Sequence, residues 1–128
     1  MIERWTEFQG SPNRVDRDGL RVTLNARGTL LLNSRTYEAM NAPSAVQLLF
    51  DENNSIIGLR AADPRLHNAF PVKQKDKQTN RLVHASPFCK HWGIKVKRTV
   101  MFNNVDMTND GILKLELNKT TSIGRGRW

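Results

Sequence analysis

In a chain of 128 residues the first place to look for chemistry is Cys89-Lys90-His91, a thiol and an imidazole two positions apart. A tetrahedral zinc site needs three or four ligands, and His67 and His84 come with no second cysteine. Nucleophilic catalysis needs thiol and base within hydrogen-bond reach, whereas residues two apart on a helix face different ways. Cys89 therefore reads as a small buried group, and His84, on an apolar strand, as a satisfied core histidine. The carboxylates Asp51-Glu52, and Asp106 with Asp110, stand beside asparagines, which is turn composition before it is an acid–base pair. No glycine-rich phosphate loop is present, and Gly124-x-Gly126 is too short and terminal. With no catalytic constellation, the reading is a non-enzyme that needs no metal and no cofactor.

The basic residues are the stronger signal. Lys73, Lys75 and Lys77 alternate, so an extended segment projects all three from one face, and Arg81 follows four residues on. Lys90, Lys95, Lys97 and Arg98 add four charges shortly after. Residues 1–64 hold seven Lys and Arg against eight Asp and Glu, a net of −1, while residues 65–128 hold thirteen against four, a net of +9. A half-chain that basic attracts polyanions, because each phosphate it neutralises releases a condensed counterion. The lysines would hold phosphates and supply affinity without reading bases.

These charges must be carried by a small scaffold. The length allows one domain or two very small units, and 38% hydrophobic with 25% charged residues is the composition of a folded protein. No apolar run approaches the ~18 residues of a membrane span, the N-terminus has no signal-like segment, and the single cysteine suits a reducing compartment, so a cytoplasmic protein is expected. Residues 1–19 read as an irregular arm in which Trp5 and Phe8 could dock on the core. From Leu20 the period-two run to Leu24, the turn Asn25-Ala-Arg-Gly28 and the apolar Thr29–Leu32 predict a hairpin. Ser34 is the expected cap of a helix over Arg35–Asn41 with Thr36, Tyr37 and Met40 inward. Strands Ala45–Phe50 and Ser55–Leu59 follow around the turn Asp51–Asn54.

The second half repeats this β-β-α-β-β order. Sliding the chain 52 places along itself sets Leu30 on Leu82, Leu31 on Val83, Met40 on Trp92, Leu48 on Val100 and Phe50 on Phe102. Phe70–Val72 opens the second hairpin, Lys73–Asn80 is its loop, Pro87–Gly93 its helix and Ile112–Leu117 its last strand. Trp92, in the place of Met40, is an expected core residue. The organisation is an arm (1–19), a first unit (20–60), a linker (61–69), a second, basic unit (70–118) and a basic tail (119–128) carrying Arg125, Arg127 and Trp128. The fold class is mainly β with two short helices, α+β, with residues 20–118 in one compact domain.

Val22-Thr-Leu-Asn-Ala-Arg-Gly-Thr-Leu-Leu-Leu-Asn33, a two-turn helix, Val46–Asp51 and Ile56–Leu59 together resemble the AbrB/SpoVT family of DNA-binding proteins. The resemblance extends more weakly over 70–118, and the two units in one chain look like the MraZ arrangement. It implies a swapped-hairpin β-barrel closed between the two units, which also suits the physics: a unit of about 45 residues is too small for its own core and leaves strand edges open. Three departures bear on function. Asn33 stands where the family has a helix-opening proline, Thr29 where it has an arginine after the turn glycine, and Tyr37 and Glu38 where it has paired basic residues. Arg21, Arg27 and Arg35 are the basic neighbours left in the first unit.

The expected function is that of a DNA-binding transcriptional regulator or antitoxin-like protein. Its expected nucleic-acid contacts are Lys73, Lys75, Lys77, Arg81, Lys90, Lys95, Lys97 and Arg98, with Arg21 and Arg27 from the first unit. Double-stranded DNA is the expected partner, the protein acting as a homodimer or as a pseudo-dimeric monomer. The alternative is a non-enzymatic structural or oligomerisation module that binds an acidic protein partner or RNA.

Overall fold

The computed structural model describes residues 19–75 and 79–123. The arm over residues 1–18, with Trp5, lies outside the described residues, as do Lys77 and the last five positions with Arg125, Arg127 and Trp128. Strands β1 (Val22–Leu24) and β2 (Thr29–Leu32) form the first hairpin, followed by helix α1 (Ser34–Ala39). The helix begins one residue earlier than Ser34 suggests, because Asn33 is the better cap. Its Oδ1 accepts from Thr36 N at 2.9 Å and from the Thr36 hydroxyl at 2.6 Å, while its Nδ2 donates to Gly19 O at 2.7 Å. The buried Thr36 hydroxyl in turn accepts from Arg21 N at 2.8 Å. Asn33 thus ties the helix to the strand before it.

Strands β3 (Ala45–Asp51) and β4 (Ile56–Ala61) pair around a turn in which the Asp51 carboxylate accepts from both the backbone and side-chain N–H of Asn54. The second half supplies β5 (Phe70–Pro71), β6 (Lys73–Gln74), β7 (Arg81–His84), helix α2 (Ser86–Trp92), β8 (Val100–Phe102), β9 (Val105–Met107), β10 (Ile112–Glu116) and β11 (Thr120–Ser122). Gly93 ends α2 in the left-handed region at φ 68°, and Pro87 lies in its first turn.

All pairings are antiparallel and make two sheets. The first runs β11-β8-β1-β2-β7-β6 and the second β5-β3-β4-β10-β9. Both sheets are open, which corrects the expected closed barrel. They are joined by chain rather than by ladder: the backbone passes from one to the other across Val72, between β5 and β6, and across Asn103-Asn104, between β8 and β9. At the first corner the strands are two residues long and Pro71 has no N–H to offer, so no continuous ladder can run through it.

At the middle of each sheet the two halves of the chain meet. In β2–β7, Leu30 opposes Val83 and Leu31 opposes Leu82; in β4–β10, Leu59 opposes Leu113 and Ile57 opposes Leu115. One core collects side chains from both halves, among them Leu24, Leu30, Leu32, Ile57, Leu59, Val83, Phe88, Leu113 and Leu115. Period-two alternation accounts for it, since Leu30, Leu32 and Val83 turn inward while Leu31 and Leu82 lie on the outer face.

β8, matched in sequence to β3, lies in the other sheet, paired with β1 and β11. Two expectations fail here. Residues 120–122, expected in the basic tail, form strand β11, because the edge of β8 offers them hydrogen-bonding groups, and Asn103 N donates to Lys119 O at 2.8 Å just beyond the paired residues. Trp92 is 37% exposed where Met40 is 4% exposed. Its ring tilts against Phe50, with centroids 5.1 Å apart, while the buried Phe88 meets Phe50 edge-on at 6.1 Å, so it is Phe88 rather than Trp92 that α2 buries in the core. Among the described residues no helix is long and apolar enough to cross a membrane.

Candidate polyanion interface

The turn after β1 is built tightly. Asn25 Oδ1 accepts from Arg27 N and from Thr29 N, each at 3.0 Å, and Gly28 takes φ 85°. Gly28 O accepts from Ala85 N at 2.8 Å, so the turn of the first half docks against the start of α2. A Cβ on Gly28 would stand 2.8 Å from Ser86 Cα, so glycine is required by contact as well as by φ. Arg27 is thereby held, exposed, between two clefts.

The larger cleft, about 740 Å³, is lined by the turn, by Ser86, Cys89 and Lys90 of α2 and by the segment after it, and it gathers Arg27, Lys90 and Lys95. That segment alternates: Ile94 and Val96 pack on the core while Lys95 and Lys97 are exposed. The smaller cleft, about 240 Å³, lies on the outer face of the first sheet and gathers Arg27, Lys75, Thr29, Leu31, Leu82 and His84. Lys73 opposes Leu82 in register, so it belongs to this same outer face. Among the described residues no carboxylate lines either cleft. Among the described residues none of Arg27, Lys73, Lys75, Lys90, Lys95, Lys97 or Arg98 is ion-paired; the salt bridges are Arg65–Asp63 and Lys119–Glu116.

Of the ten expected site residues, four line the joined clefts: Arg27, Lys75, Lys90 and Lys95. Lys73 shares the outer sheet face, and Lys97 and Arg98 are exposed in the segment after α2 but line neither cleft. Lys77 lies outside the described residues. Two others stand apart. Arg81 opposes Gln74 and Leu32, on the other face of the sheet from Lys73 and Leu82, because an odd number of residues separates it from them in the pairing. Its guanidinium lies 4.3 Å over the Tyr37 ring and donates to Thr79 O at 2.6 Å. Arg21 sits at the opposite end of β1 from Arg27, where its backbone bonds Asn33 and Thr36 of the α1 cap.

His84 is a further correction. It is exposed, not core, and its Nδ1 lies 3.4 Å from Thr29 Oγ1 across the β2–β7 ladder. Its alternation with Val83 carried that signal, since a buried Val83 obliges its neighbour to face out. Cys89 is buried on the inner side of α2, and burial pushes its thiol pKa up, which keeps it protonated. Asp51 is held below the usual carboxylate range by the Asn54 side-chain and backbone hydrogen bonds. Among the described residues no group of three or more His, Cys, Asp or Glu is placed to hold a metal ion. Among the described residues the site is thus a surface of two joined clefts without carboxylates, with lysines on both sides of one arginine. Compared with known proteins, the chain matches no family model, and no curated protein or solved structure is significantly similar to it.

Proposed function

We propose that the protein binds double-stranded DNA through this surface, as a transcriptional regulator or antitoxin-like protein. The observation that carries the reading is the position of Arg27, which lines both clefts and so joins Lys75 on one side to Lys90 and Lys95 on the other. Unpaired cations in a row suit a phosphate backbone, whose binding is driven by counterion release and needs no base contacts. Lys73, Lys97 and Arg98 extend the row. The two halves are further proposed to be copies of one unit, related by a pseudo-two-fold axis, so that one chain does the work of a dimer. The antiparallel pairing of matched strands, β2 with β7 and β4 with β10, supports this reading.

The test is fluorescence anisotropy with a labelled mixed-sequence duplex across a salt series. Binding at low salt with a steep loss on raising salt is expected, and Arg27→Gln, Lys75→Gln, Lys90→Gln and Lys95→Gln together should lower the logarithmic salt slope by about 0.9 per phosphate contact removed. No binding at low salt, or an unchanged slope in the fourfold variant, ends the proposal.

An assembly module is the second reading. It draws on a shallow groove of about 390 Å³ on the outer face of the second sheet, between Leu49, Ile56 and Ile112 over Gly58. Light scattering separates the two: a ring or higher oligomer that ignores DNA favours assembly.

A further inference from the structure

The larger cleft has a property that a phosphate backbone does not use. Its walls are apolar and continuous with the core: Leu24 and Cys89 are buried, and Ile94 and Val96 are half-buried, all in the same hydrophobic cluster. Its lip is cationic, with Arg27, Lys90 and Lys95 exposed around it and no carboxylate among its described lining residues. Its volume of about 740 Å³ falls within the ~300–1,000 Å³ typical of small-molecule sites. A purely ionic ligand would satisfy the lip and leave Ile94 and Val96 wet. A neutral apolar ligand would dry the walls and leave three like charges facing one another across the opening. One class of ligand satisfies both, an anionic head on an apolar body.

We infer that the cleft between the Asn25–Gly28 turn and α2 is a binding site for an amphipathic organic anion, a carboxylate on an aliphatic chain. The carboxylate sits among Arg27, Lys90 and Lys95, where charge-assisted hydrogen bonds favour it. The chain lies along Leu24, Ile94 and Val96, where burial of apolar surface holds it. Occupancy takes Arg27 out of the polyanion surface, so the ligand and DNA compete. The site itself does not rest on the DNA reading.

The experiment is isothermal titration calorimetry of the full chain with dodecanoate below its micelle concentration, with acetate and octyl glucoside as the head-only and neutral controls. The expected result is one saturable dodecanoate site, with no measurable binding of either control over the same range. Lys90→Glu with Lys95→Glu should weaken it about twentyfold, on the scale of two exposed charge contacts. Arg60→Glu, an exposed reversal on the second sheet, should leave it unchanged. Val96→Asn should also weaken it; the two lysines are exposed, so the lysine variant tests the site even if Val96→Asn unfolds. Absence of saturable binding, equal binding of octyl glucoside, or equal weakening by Arg60→Glu overturns the inference. Dodecanoate binding without DNA binding supports this site and ends the DNA reading, and DNA binding without dodecanoate binding does the reverse.

Discussion

Each half of the chain meets the helix of the other half from its first hairpin, the Gly28 turn at α2 and Arg81 of β7 at α1, and the two junctions use their arginines differently. At one, the Gly28 turn backs onto the start of α2, and Arg27 points away from the contact into open clefts. At the other, Arg81 lies over Tyr37 of α1 and donates to the carbonyls of Thr79 and Asn80. The helices differ in the same sense. α1 is tied down by the Asn33 amide, whereas α2 has no side-chain cap and is held at its start by Ala85 N–H bonded to Gly28 O. The first arrangement leaves a cation available to a ligand, and the second spends one on holding the molecule together. Contact through backbone and glycine is what keeps the first junction's side chains free.

The sharpest way to break this contrast is Gly28→Val. Positive φ and a Cβ within 2.8 Å of the Ser86 backbone act together, so unfolding free energy should fall by about 3–4 kcal/mol in a urea titration. Gly93→Ala, also at positive φ but with open space around it, should cost only about 1 kcal/mol. Equal losses would mean that the turn is not pinned against α2. On the other side, Asn33→Ala removes the α1 cap and leaves Gly19 O and the Thr36 hydroxyl without that partner; a loss of about 2 kcal/mol is expected.

The arginines themselves give a double dissociation. Arg81→Gln should lower stability by about 1 kcal/mol, the worth of a partly buried cation–π contact, and leave the DNA salt slope alone. Arg27→Gln should lower the slope by about 0.9 and change stability by less than about 0.5 kcal/mol. If the two variants behave alike in both measurements, the difference between the junctions has no functional content.

Much of this scaffold was legible in local pattern. The β1–β2 hairpin, the Asp51–Asn54 turn, the Pro87 and Gly93 limits of α2 and the strands β3, β4 and β10 of the second sheet follow from period, turn chemistry and caps, which are properties of neighbours in sequence. The closure was not legible, because an open or closed sheet depends on which edges meet, and β8 crossing to pair with β1 is a long-range choice that no local pattern encodes. The site was legible in part. Alternation correctly set Lys73 and Lys75 on one face, yet counting Arg81 with them ignored its parity with Leu82, and His84 was misassigned by the same oversight. The apolar walls of the larger cleft were not legible, because they form only where the Asn25–Gly28 turn, α2 and the segment after it meet in space. The resemblance to a swapped-hairpin family implied a closed barrel of exchanging hairpins, whereas both sheets are open.

The smallest expected effect concerns Cys89, which lies under the open junction. Burial raises its thiol pKa in the folded chain, so below the unfolded thiol's value of about 8.5 the group is neutral in both states and its stabilising contribution is whole. As pH rises past that value the unfolded chain releases its proton first, and the contribution is lost progressively up to the raised folded pKa. Urea midpoints measured at pH 7 and pH 9.5 should therefore fall further for the wild type than for Cys89→Ala, although the alanine variant starts lower for want of the sulfur's packing. Parallel declines would show that the thiol is no less accessible to water in the folded chain than in the unfolded one, and that the cleft beside it is wet to its floor. A steeper decline in the wild type means that the floor is dry, the condition under which an open basic junction can hold an apolar body as well as a charge.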